Sequence, residues 1–449
     1  METLKPRTFE IRTFGCQMNK HDSERVAGML TASGHVHVAA DQPADIYVFM
    51  TCCVRENADE RLRGQVASLK ALKTGGRPET LIAVGGCIGQ RDGDALMRLL
   101  PHVDVVFGTH NIARLPALLD AVTESRIPIV EVLDSADSFT SELPTERAHP
   151  WHAWVPITVG CNNFCTYCVV PYVRGREHSR QLEDIVAECE GLVAEGVLEI
   201  TLLGQNVNSY GRDLYGEPRF AEALRRVAAT GIERIRFATS HPKDLSDETI
   251  AVMAETPAVC KYLHLPVQSG SDSVLAAMNR HYTKDSYLAL VDRLYAAMPD
   301  LALSTDIIVG FPGETEQDFL DTLDVVSAAR YDQSFTFIYS PREGTPAASM
   351  DCQIPREVSQ ERFDRLVEAV HSGVLDKNLH LVGTEQRVLF EGTSKRDSAM
   401  LTGRTDGNKV VHAPVPDGHS ALQYTGAFAR VDIEEAQTWF LTGRITGTY

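Results

Sequence analysis

Apolar runs alternate with segments of helical periodicity from about residue 8 to residue 131. Runs that are apolar along their whole length and separated by helices are typical of a parallel sheet covered on both faces. The pattern therefore predicts an N-terminal parallel α/β domain over residues 1–133. The five runs are TFEIRTF, DIYVFM, TLIAVGG, VDVVFG and IPIV.

A polar, proline-containing segment at residues 134–150 interrupts this alternation and is interpreted as a linker. The alternation then resumes with six apolar runs separated by helical segments. Six βα units predict a partial (β/α)6 barrel over residues 151–379, two units short of the usual eight. The runs are WVPITVG, LEITLLG, IERIRFAT, YLHLPV, LALSTDIIVGF and QSFTFIY.

The helical periodicity ends near residue 380. Five short β-like runs follow within the last part of the chain: EQRVLFEG, SAMLTGR, KVVHAP, GAFARVDIEEA and WFLTGRI. Short strands without intervening helices predict a small closed all-β barrel over residues 380–449. The predicted fold class is thus α/β, with an all-β unit at the C-terminus.

Composition narrows the function classes. A chain of 449 residues can form several domains that each bury an apolar core, so its ten cysteines are not needed as disulfide staples. The N-terminus lacks the apolar region of a signal peptide, and no stretch has the ~18 apolar residues that span a bilayer. The sequence therefore predicts a cytoplasmic protein with no membrane partner. A formal net charge of -18 excludes indiscriminate coating of nucleic acid and restricts RNA binding to a local groove.

Three cysteines lie close together in VGCNNFCTYCVVPY, directly after a predicted strand: Cys161, Cys165 and Cys168. The last two alone would also fit a redox dithiol or half of a zinc site. A third cysteine four residues earlier, inside a glycine-bearing loop, disfavours zinc. We interpret the set as metal ligands.

A second set of three is spread over the N-terminal domain. Cys16, Cys52 and Cys87 each follow a predicted strand. Ligands of open parallel sheets sit at the carboxyl ends of the strands, so these thiols are expected to converge. The alternative is three small buried core residues. Cys53 could compete with Cys52, whereas the remaining cysteines, at 189, 260 and 352, are interpreted as non-ligands.

The C-x-x-x-C-x-x-C spacing resembles the signature of radical S-adenosylmethionine (SAM) enzymes. From about residue 8 to 446 the chain resembles a methylthiotransferase of that superfamily, most closely the MiaB type that acts on tRNA. It departs mildly in Met50, Cys53 and Glu343. The matching segments include TFGCQMNKHDSE, GGCIGQ, PYVRGREHSR, LLGQNVNSYG, ATSHP, LHLPVQSGSDSVLAAMNRHYT, DIIVGFPGETEQDF and YSPREGTPAA.

The resemblance implies two [4Fe-4S] clusters, each held by three cysteines. Such clusters commonly have four thiolates, so one iron of each stays open. The open iron at Cys161, Cys165 and Cys168 is implied to bind SAM for 5′-deoxyadenosyl radical formation, and the auxiliary cluster at Cys16, Cys52 and Cys87 to carry the inserted sulfur.

The implied substrate is the isopentenyladenosine directly 3′ of a tRNA anticodon, converted to its 2-methylthio derivative with one SAM as methyl donor and one as radical source. The implied partners are the tRNA anticodon loop and an electron donor of the flavodoxin or ferredoxin type. A sulfur source or cluster-assembly proteins are further implied partners.

Candidate SAM contacts follow predicted barrel strands, at the face where barrel active sites lie. Ordinary strand-to-helix turn chemistry is the alternative for each. The candidates are Gly204, Gln205, Asn206, Ser240, His241, Gln268, Gly310, Gly313 and Glu314.

Candidate RNA contacts fall in two places. PYVRGREHSR brings Arg174, Arg176, His178 and Arg180 next to the cysteine loop, although such runs are often only solvated surface. The C-terminal barrel is similar to the TRAM domain, an RNA-binding module of OB-like shape. Its candidate contacts are Lys395, Arg396, Arg404 and Lys409.

Two alternatives stay open at this point. Within the family, the substrate could be a threonylcarbamoyl-adenosine of tRNA or an aspartate of a ribosomal protein. Outside it, the chain could be an RNA-binding protein with structural or electron-carrying clusters, but such carriers generally have four cysteine ligands per cluster.

Overall fold

The computed structural model describes residues 6–40, 42–53, 56–134, 139 and 142–449, without the side chains of residues 56–58. Part of the predicted linker at 134–150 lies outside the described residues. The architecture is a parallel α/β domain, a partial barrel and a closed β-barrel, as predicted from the sequence pattern.

The N-terminal sheet is parallel throughout, and its six strands are β1 (Thr8–Thr13), β2 (Val36–His37), β3 (Ile46–Thr51), β4 (Leu81–Gly86), β5 (Val105–Phe107) and β6 (Ile129–Glu131). Their order is β2-β1-β3-β4-β5-β6. Every residue of β3 and β4 is buried, because helices cover both faces of the sheet. These helices are α1 (Gln17–Ala32), α2 (Glu56–Thr74), α3 (Cys87–Leu99) and α4 (Leu115–Ser125).

Six parallel strands form the partial barrel: β7 (His152–Pro156), β10 (Glu199–Leu203), β11 (Arg234–Phe237), β12 (Tyr262–His264), β13 (Ala302–Val309) and β14 (Gln333–Ile338). A bridge between Ile235 and Val259 connects the β7-β10-β11 and β12-β13-β14 sheets. Within the described part of the chain no ladder joins β7 to β14, so the barrel has an open side there. The short strands β8 (Thr158–Val159) and β9 (His178–Ser179) pair antiparallel and bracket the cysteine loop.

Helices cover the outside of this barrel, and the core lies between them and the strands. They are α6 (Leu182–Ala194), α8 (Phe220–Ala228), α9 (Asp247–Glu255), α11 (Lys284–Ala297), α12 (Glu316–Ala329) and α13 (Arg356–Leu379). The short helices α7 (Arg212–Tyr215) and α10 (Asp272–Ala277) lie in the connections before α8 and α11, and α5 (Val170–Val173) packs against the N-terminal domain. Among the described residues, no helix is both long enough and apolar enough to cross a membrane.

The C-terminal barrel has the five predicted strands: β15 (Glu385–Thr393), β16 (Met400–Thr405), β17 (Val410–Pro414), β18 (Phe428–Ala436) and β19 (Leu441–Thr448). They close in the order β15-β16-β17-β19-β18 around a small apolar core of their own.

The turn between β16 and β17 docks at the amino-terminal end of the partial barrel. Arg236 on β11 donates to the carbonyl oxygens of Thr405 (2.7 Å) and Asp406 (3.1 Å), and its Nε lies 2.8 Å from the Glu199 carboxylate. Gly407 fits closely, since a Cβ there would lie 3.2 Å from the Ala302 Cβ. The β-barrel thus covers the end of the partial barrel opposite to its carboxyl-end face.

The N-terminal domain covers the carboxyl-end face. Met18 on α1 packs with Leu203 and Ala238, at the ends of β10 and β11. The carboxyl ends of the N-terminal sheet and of the barrel strands therefore face each other, and both cysteine sets lie in this region.

Candidate metal centres and substrate-binding residues

The N-terminal cysteine set lies at the carboxyl ends of three adjacent strands. Cys16 precedes α1 after β1, Cys52 follows β3, and Cys87 begins α3 after β4. Gly15 has φ +103°, and a Cβ at this position would lie 2.1 Å from the Cys52 Cβ. Only glycine permits this approach of the two chain segments.

The electrostatics of this set suit metal ligation. A hydrogen bond from Cys52, aided by the charge of Arg174, lowers the pKa of Cys16 to about 6. A hydrogen bond from Cys53 lowers the pKa of the buried Cys87 to about 7, again with help from Arg174. The thiolate is the metal-binding form of cysteine. The arrangement brings Cys53 into contact with the set as well, so the choice between Cys52 and Cys53 stays a prediction.

Arg174 is a buried cation beside this set. It is 5% exposed, and its Nη2 donates to Asn19 Oδ1 (2.9 Å) and Asp22 Oδ2 (3.0 Å). Arg180 is also buried and pairs with Glu188 at 2.6 Å. Both side chains thus have protein partners and little exposed surface, and their RNA contacts stay a prediction. Arg176 and His178 remain exposed.

The second cysteine set lies in the loop between β8 and β9. Gly160 has φ +78°, and a Cβ there would lie 2.0 Å from the Arg176 carbonyl oxygen, so the loop closes tightly only with glycine. Burial raises the pKa of Cys161 to about 11 and that of Cys168 to about 12, and the charge of Cys165 acts in the same direction on both. Burial therefore favours the neutral thiols here, and a bound metal group would favour the thiolates.

A buried arginine also flanks this second set. Arg280 Nη1 donates to Cys165 Sγ at 3.4 Å, and Nη2 donates to the Pro266 carbonyl at 3.0 Å. Each cysteine set thus has one buried guanidinium, Arg174 or Arg280, that offsets negative charge.

The donor sets fit clusters better than single ions. Among the described residues, no group of three or more histidine, cysteine, aspartate or glutamate side chains converges closely enough for one metal ion. In a [4Fe-4S] cluster each thiolate binds a different iron, so its ligands stand farther apart than those of one ion. Each set offers three thiols beside one buried arginine, as expected for a cluster with one open iron.

Polar atoms without partners lie beside the second cysteine set, after β10 and β11. Among the described residues, Asn206 Oδ1, Asn208 Nδ2 and Ser240 Oγ are buried and have no hydrogen-bond partner. Burying such atoms unpaired costs about 1–3 kcal/mol each, so they fit a polar ligand that would satisfy them. A SAM molecule carries suitable amine, carboxylate, ribose and adenine groups.

The remaining candidates for SAM contacts differ in their surroundings. Gln205 and Gln268 follow barrel strands, and Gln268 has the left-handed φ of +68°. His241 is buried, which lowers its pKa, and its Nδ1 accepts the Lys243 amide at 3.3 Å. Gly204 packs against Thr158, where a Cβ would lie 2.5 Å from Cγ2.

The loop after β13 packs against α13. Glu314 accepts hydrogen bonds from the Gly310 amide (3.0 Å) and from Arg362 on α13 (2.8 Å). A Cβ at Gly310 would lie 2.3 Å from Ser359 Oγ. Gly310 and Glu314 thus hold α13 against this loop, and their contacts with SAM stay a prediction. Gly313 lies in the same loop and donates to the Cys352 carbonyl at 2.9 Å.

Three residues of the site were not predicted. Asn208 has the orphaned amide, Arg280 contacts Cys165, and the buried Glu177 accepts from Ser209 Oγ at 2.5 Å. All three stand inside quoted motifs, which is the only sequence signal for them: LLGQNVNSYG, LHLPVQSGSDSVLAAMNRHYT and PYVRGREHSR.

The four candidate RNA contacts of the C-terminal barrel differ in exposure and in their ion pairs. Lys395 and Arg396 are exposed, and Arg404 pairs with Glu391 at 3.1 Å on the surface. Lys409 is mostly buried and pairs with Asp332 of the partial barrel at 2.9 Å. This ion pair joins the two barrels, and the RNA contact of Lys409 stays a prediction.

Comparison with known proteins agrees with the two-cluster geometry. Three family models match the chain: the radical SAM superfamily over residues 155–326, the uncharacterized protein family UPF0004 over 8–108 and the TRAM domain over 380–446. A relative from Acidothermus cellulolyticus, named tRNA-2-methylthio-N(6)-dimethylallyladenosine synthase, is 52% identical over 92% of this chain and 84% of its own length. The chain belongs to this family.

A second member, from Nocardia farcinica, has the same name and is 50% identical over 96% of this chain and 88% of its own. Membership makes the chain a radical SAM methylthiotransferase and implies two [4Fe-4S] clusters and SAM as its cofactors.

A solved structure supports the fold of this family member. The radical SAM methyltransferase TsrM from Kitasatospora setae aligns with a TM-score of 0.53, covers 77% of both chains and is 15% identical. At that identity the likeness concerns the fold alone.

Proposed function

We propose that this chain converts the dimethylallyladenosine directly 3′ of a tRNA anticodon into its 2-methylthio derivative. One SAM donates the methyl group and another is the radical source. The observation that carries the proposal is the pair of three-cysteine sets at facing strand ends, each beside one buried arginine. The relatives' names supply the nucleoside.

The reaction needs this machinery because of its target. The C–H bond at carbon 2 of an adenine is far too weak an acid for a general base tuned near neutral pH. When bound, the clusters and SAM supply the radical and the sulfur that replace acid–base chemistry. In our proposal Cys161, Cys165 and Cys168 hold the first cluster, and the auxiliary one is held by Cys16, Cys52 and Cys87.

The chain's own residues position the reactants. We propose that Asn206, Asn208 and Ser240 bind SAM through their orphaned polar atoms, with Gln205, His241 and Gln268 nearby. Met18, Leu203 and Ala238 form an apolar contact at the facing strand ends that excludes water. Exclusion of solvent protects a reactive intermediate from side reactions.

The partners follow from the same proposal. The RNA substrate approaches with a single-stranded loop, where turning out a base costs less than in a duplex. Lys395 and Arg396 are the exposed candidates for phosphate contacts on the C-terminal barrel. We also propose a flavodoxin- or ferredoxin-type electron donor, a sulfur source or cluster-assembly protein, and a cytoplasmic location. The proposed domains are 1–133, 151–379 and 380–449, with a linker at 134–150.

The test is a reaction with defined RNA. Anaerobically reconstituted protein is incubated with SAM, a reductant and tRNA from a strain that lacks this gene, and the digested nucleosides are measured by mass spectrometry. We expect the 2-methylthio form of dimethylallyladenosine. Modification of threonylcarbamoyl-adenosine instead would support the alternative within the family. Absence of both products and of 5′-deoxyadenosine would support an RNA-binding protein with structural clusters.

A further inference from the structure

Exposed planar side chains line one edge of the Cys161–Cys168 loop. Tyr172 is 57% exposed, and its ring meets that of Phe164 edge-on at 6.4 Å between centroids. The Arg176 guanidinium lies over the other ring, with Cζ 4.3 Å from the Phe164 centroid. His178 stacks on Phe139 at 5.2 Å. We call Phe164, Tyr172, Arg176 and His178 the aromatic rim.

The backbone directs the rim toward solvent. Side chains of an extended segment alternate between its two faces. Arg176 and His178 are exposed, whereas Glu177 and Ser179 between and after them are buried. The two planar groups therefore share one outward face.

Phe164 has an unfavourable backbone conformation that hydrogen bonds from a neighbouring segment hold in place. Its φ of +48° is unfavourable for a residue with a side chain. The amide of Asn279 holds it there by donating to the carbonyls of Asn163 (3.2 Å) and Phe164 (3.0 Å). The ring is thus held at the rim by contacts outside the cysteine loop.

The charge of the rim suits RNA. Within the described residues Arg176 makes no ion pair, although the whole chain carries a net charge of -18. An exposed, unpaired arginine stacked on an aromatic ring offers both a flat surface and a positive charge. Proteins that recognise single-stranded RNA stack unpaired bases on aromatic rings and on arginine planes.

We infer that the aromatic rim stacks an unpaired nucleobase of the RNA loop next to the modified adenosine. This inference rests on the proposed function, since it assumes an RNA loop at the facing strand ends. The rim determines how the loop is oriented and so places the target base at the facing strand ends.

The test measures binding of a labelled anticodon stem-loop to the anaerobic holoprotein. Tyr172→Ala and Arg176→Ala are expected to weaken binding roughly 5- to 100-fold, the range for loss of one base stack. Tyr172→Phe keeps the ring and should bind like the wild type. Arg176→Lys keeps the charge without the plane and should fall between Arg176→Ala and the wild type. Iron content equal to the wild type shows that each variant is folded.

Two further readouts identify stacking. Tyr172→Ala should leave the slope of log affinity against log salt unchanged, because only phosphate contacts release counterions. Abasic substitution at one loop position should weaken wild-type binding and remove the effect of Tyr172→Ala, as expected for a coupled pair.

Several outcomes would overturn the inference. They are wild-type affinity in both alanine variants, or an equal Tyr172→Ala effect on every abasic RNA. A wild-type protein that does not bind the stem-loop would overturn the proposed RNA substrate itself, and the rim with it.

Discussion

Arg280 is expected to set the reduction potential of the cluster held by Cys161, Cys165 and Cys168. The guanidinium is buried, and its Nη1 lies 3.4 Å from Cys165 Sγ. Reduction adds one negative charge to the cluster, and a fixed positive charge stabilises the reduced form more than the oxidised form. Replacing Arg280 by Gln removes that charge and should lower the potential.

The magnitude follows from the distance. Two unit charges 3.4 Å apart interact by about 5 kcal/mol at an effective dielectric constant of about 20. The added electron is spread over the whole cluster, so roughly 2 kcal/mol of this acts on reduction. For a one-electron couple that corresponds to about 90 mV.

The assay is an anaerobic potentiometric titration followed by electron paramagnetic resonance. A background in which the auxiliary cysteines are replaced by Ala leaves one cluster, so the signal belongs to it alone. In that background Arg280→Lys, which keeps the charge, should have a midpoint potential close to that of the protein with Arg280. Arg174→Gln is the matched control, because it removes a buried arginine at the other cysteine set.

An unchanged midpoint potential in Arg280→Gln, with iron content retained, would show that the Arg280 charge does not set the reduction potential of this cluster. So would an equal shift in the Arg174→Gln control, since the effect would then be one of total charge and not of contact with Cys165.

Two more predictions concern the cluster ligands and the docked barrel. Cys53→Ala should keep the iron of both clusters, whereas Cys52→Ala should lose one; the reverse result in an iron assay would make Cys53 the ligand. Glu199→Gln should destabilise the interface with the C-terminal barrel by about 3–5 kcal/mol, because it removes the carboxylate that pairs with the buried Arg236. A urea titration should show this, with exposed Glu391→Gln as control at about 0–1 kcal/mol. Paired arginines lower the pKa of Glu199 to about 2 against its burial, so this stabilisation is complete above pH 4.5 and should disappear as pH falls toward 2.

The sequence predicted the features that depend on local pattern. Apolar runs located the strands of all three units except the two-residue β2 and β9. The cysteines could be grouped because each follows a strand, and parallel strands end at one edge of a sheet. Local pattern was therefore enough for the architecture and for the candidate ligands.

Partners distant in the chain could not be predicted. Arg280 meets Cys165 across 115 positions, and Arg174 meets Asn19 across 155. The same holds for Lys409 and Glu314, because their ion-pair partners, Asp332 and Arg362, lie far from them in the sequence. A basic or acidic residue shows its role only when its partner is known.

The central claim is that two cysteine sets divide the work of one methylthiotransferase. The most direct test quantifies 5′-deoxyadenosine and 2-methylthio nucleoside together, in the wild type and in the variant with Cys16, Cys52 and Cys87 replaced by Ala. We expect that the variant still forms 5′-deoxyadenosine and makes no methylthio product. Methylthio product at the wild-type rate, or loss of 5′-deoxyadenosine from a variant that keeps one cluster, would contradict it.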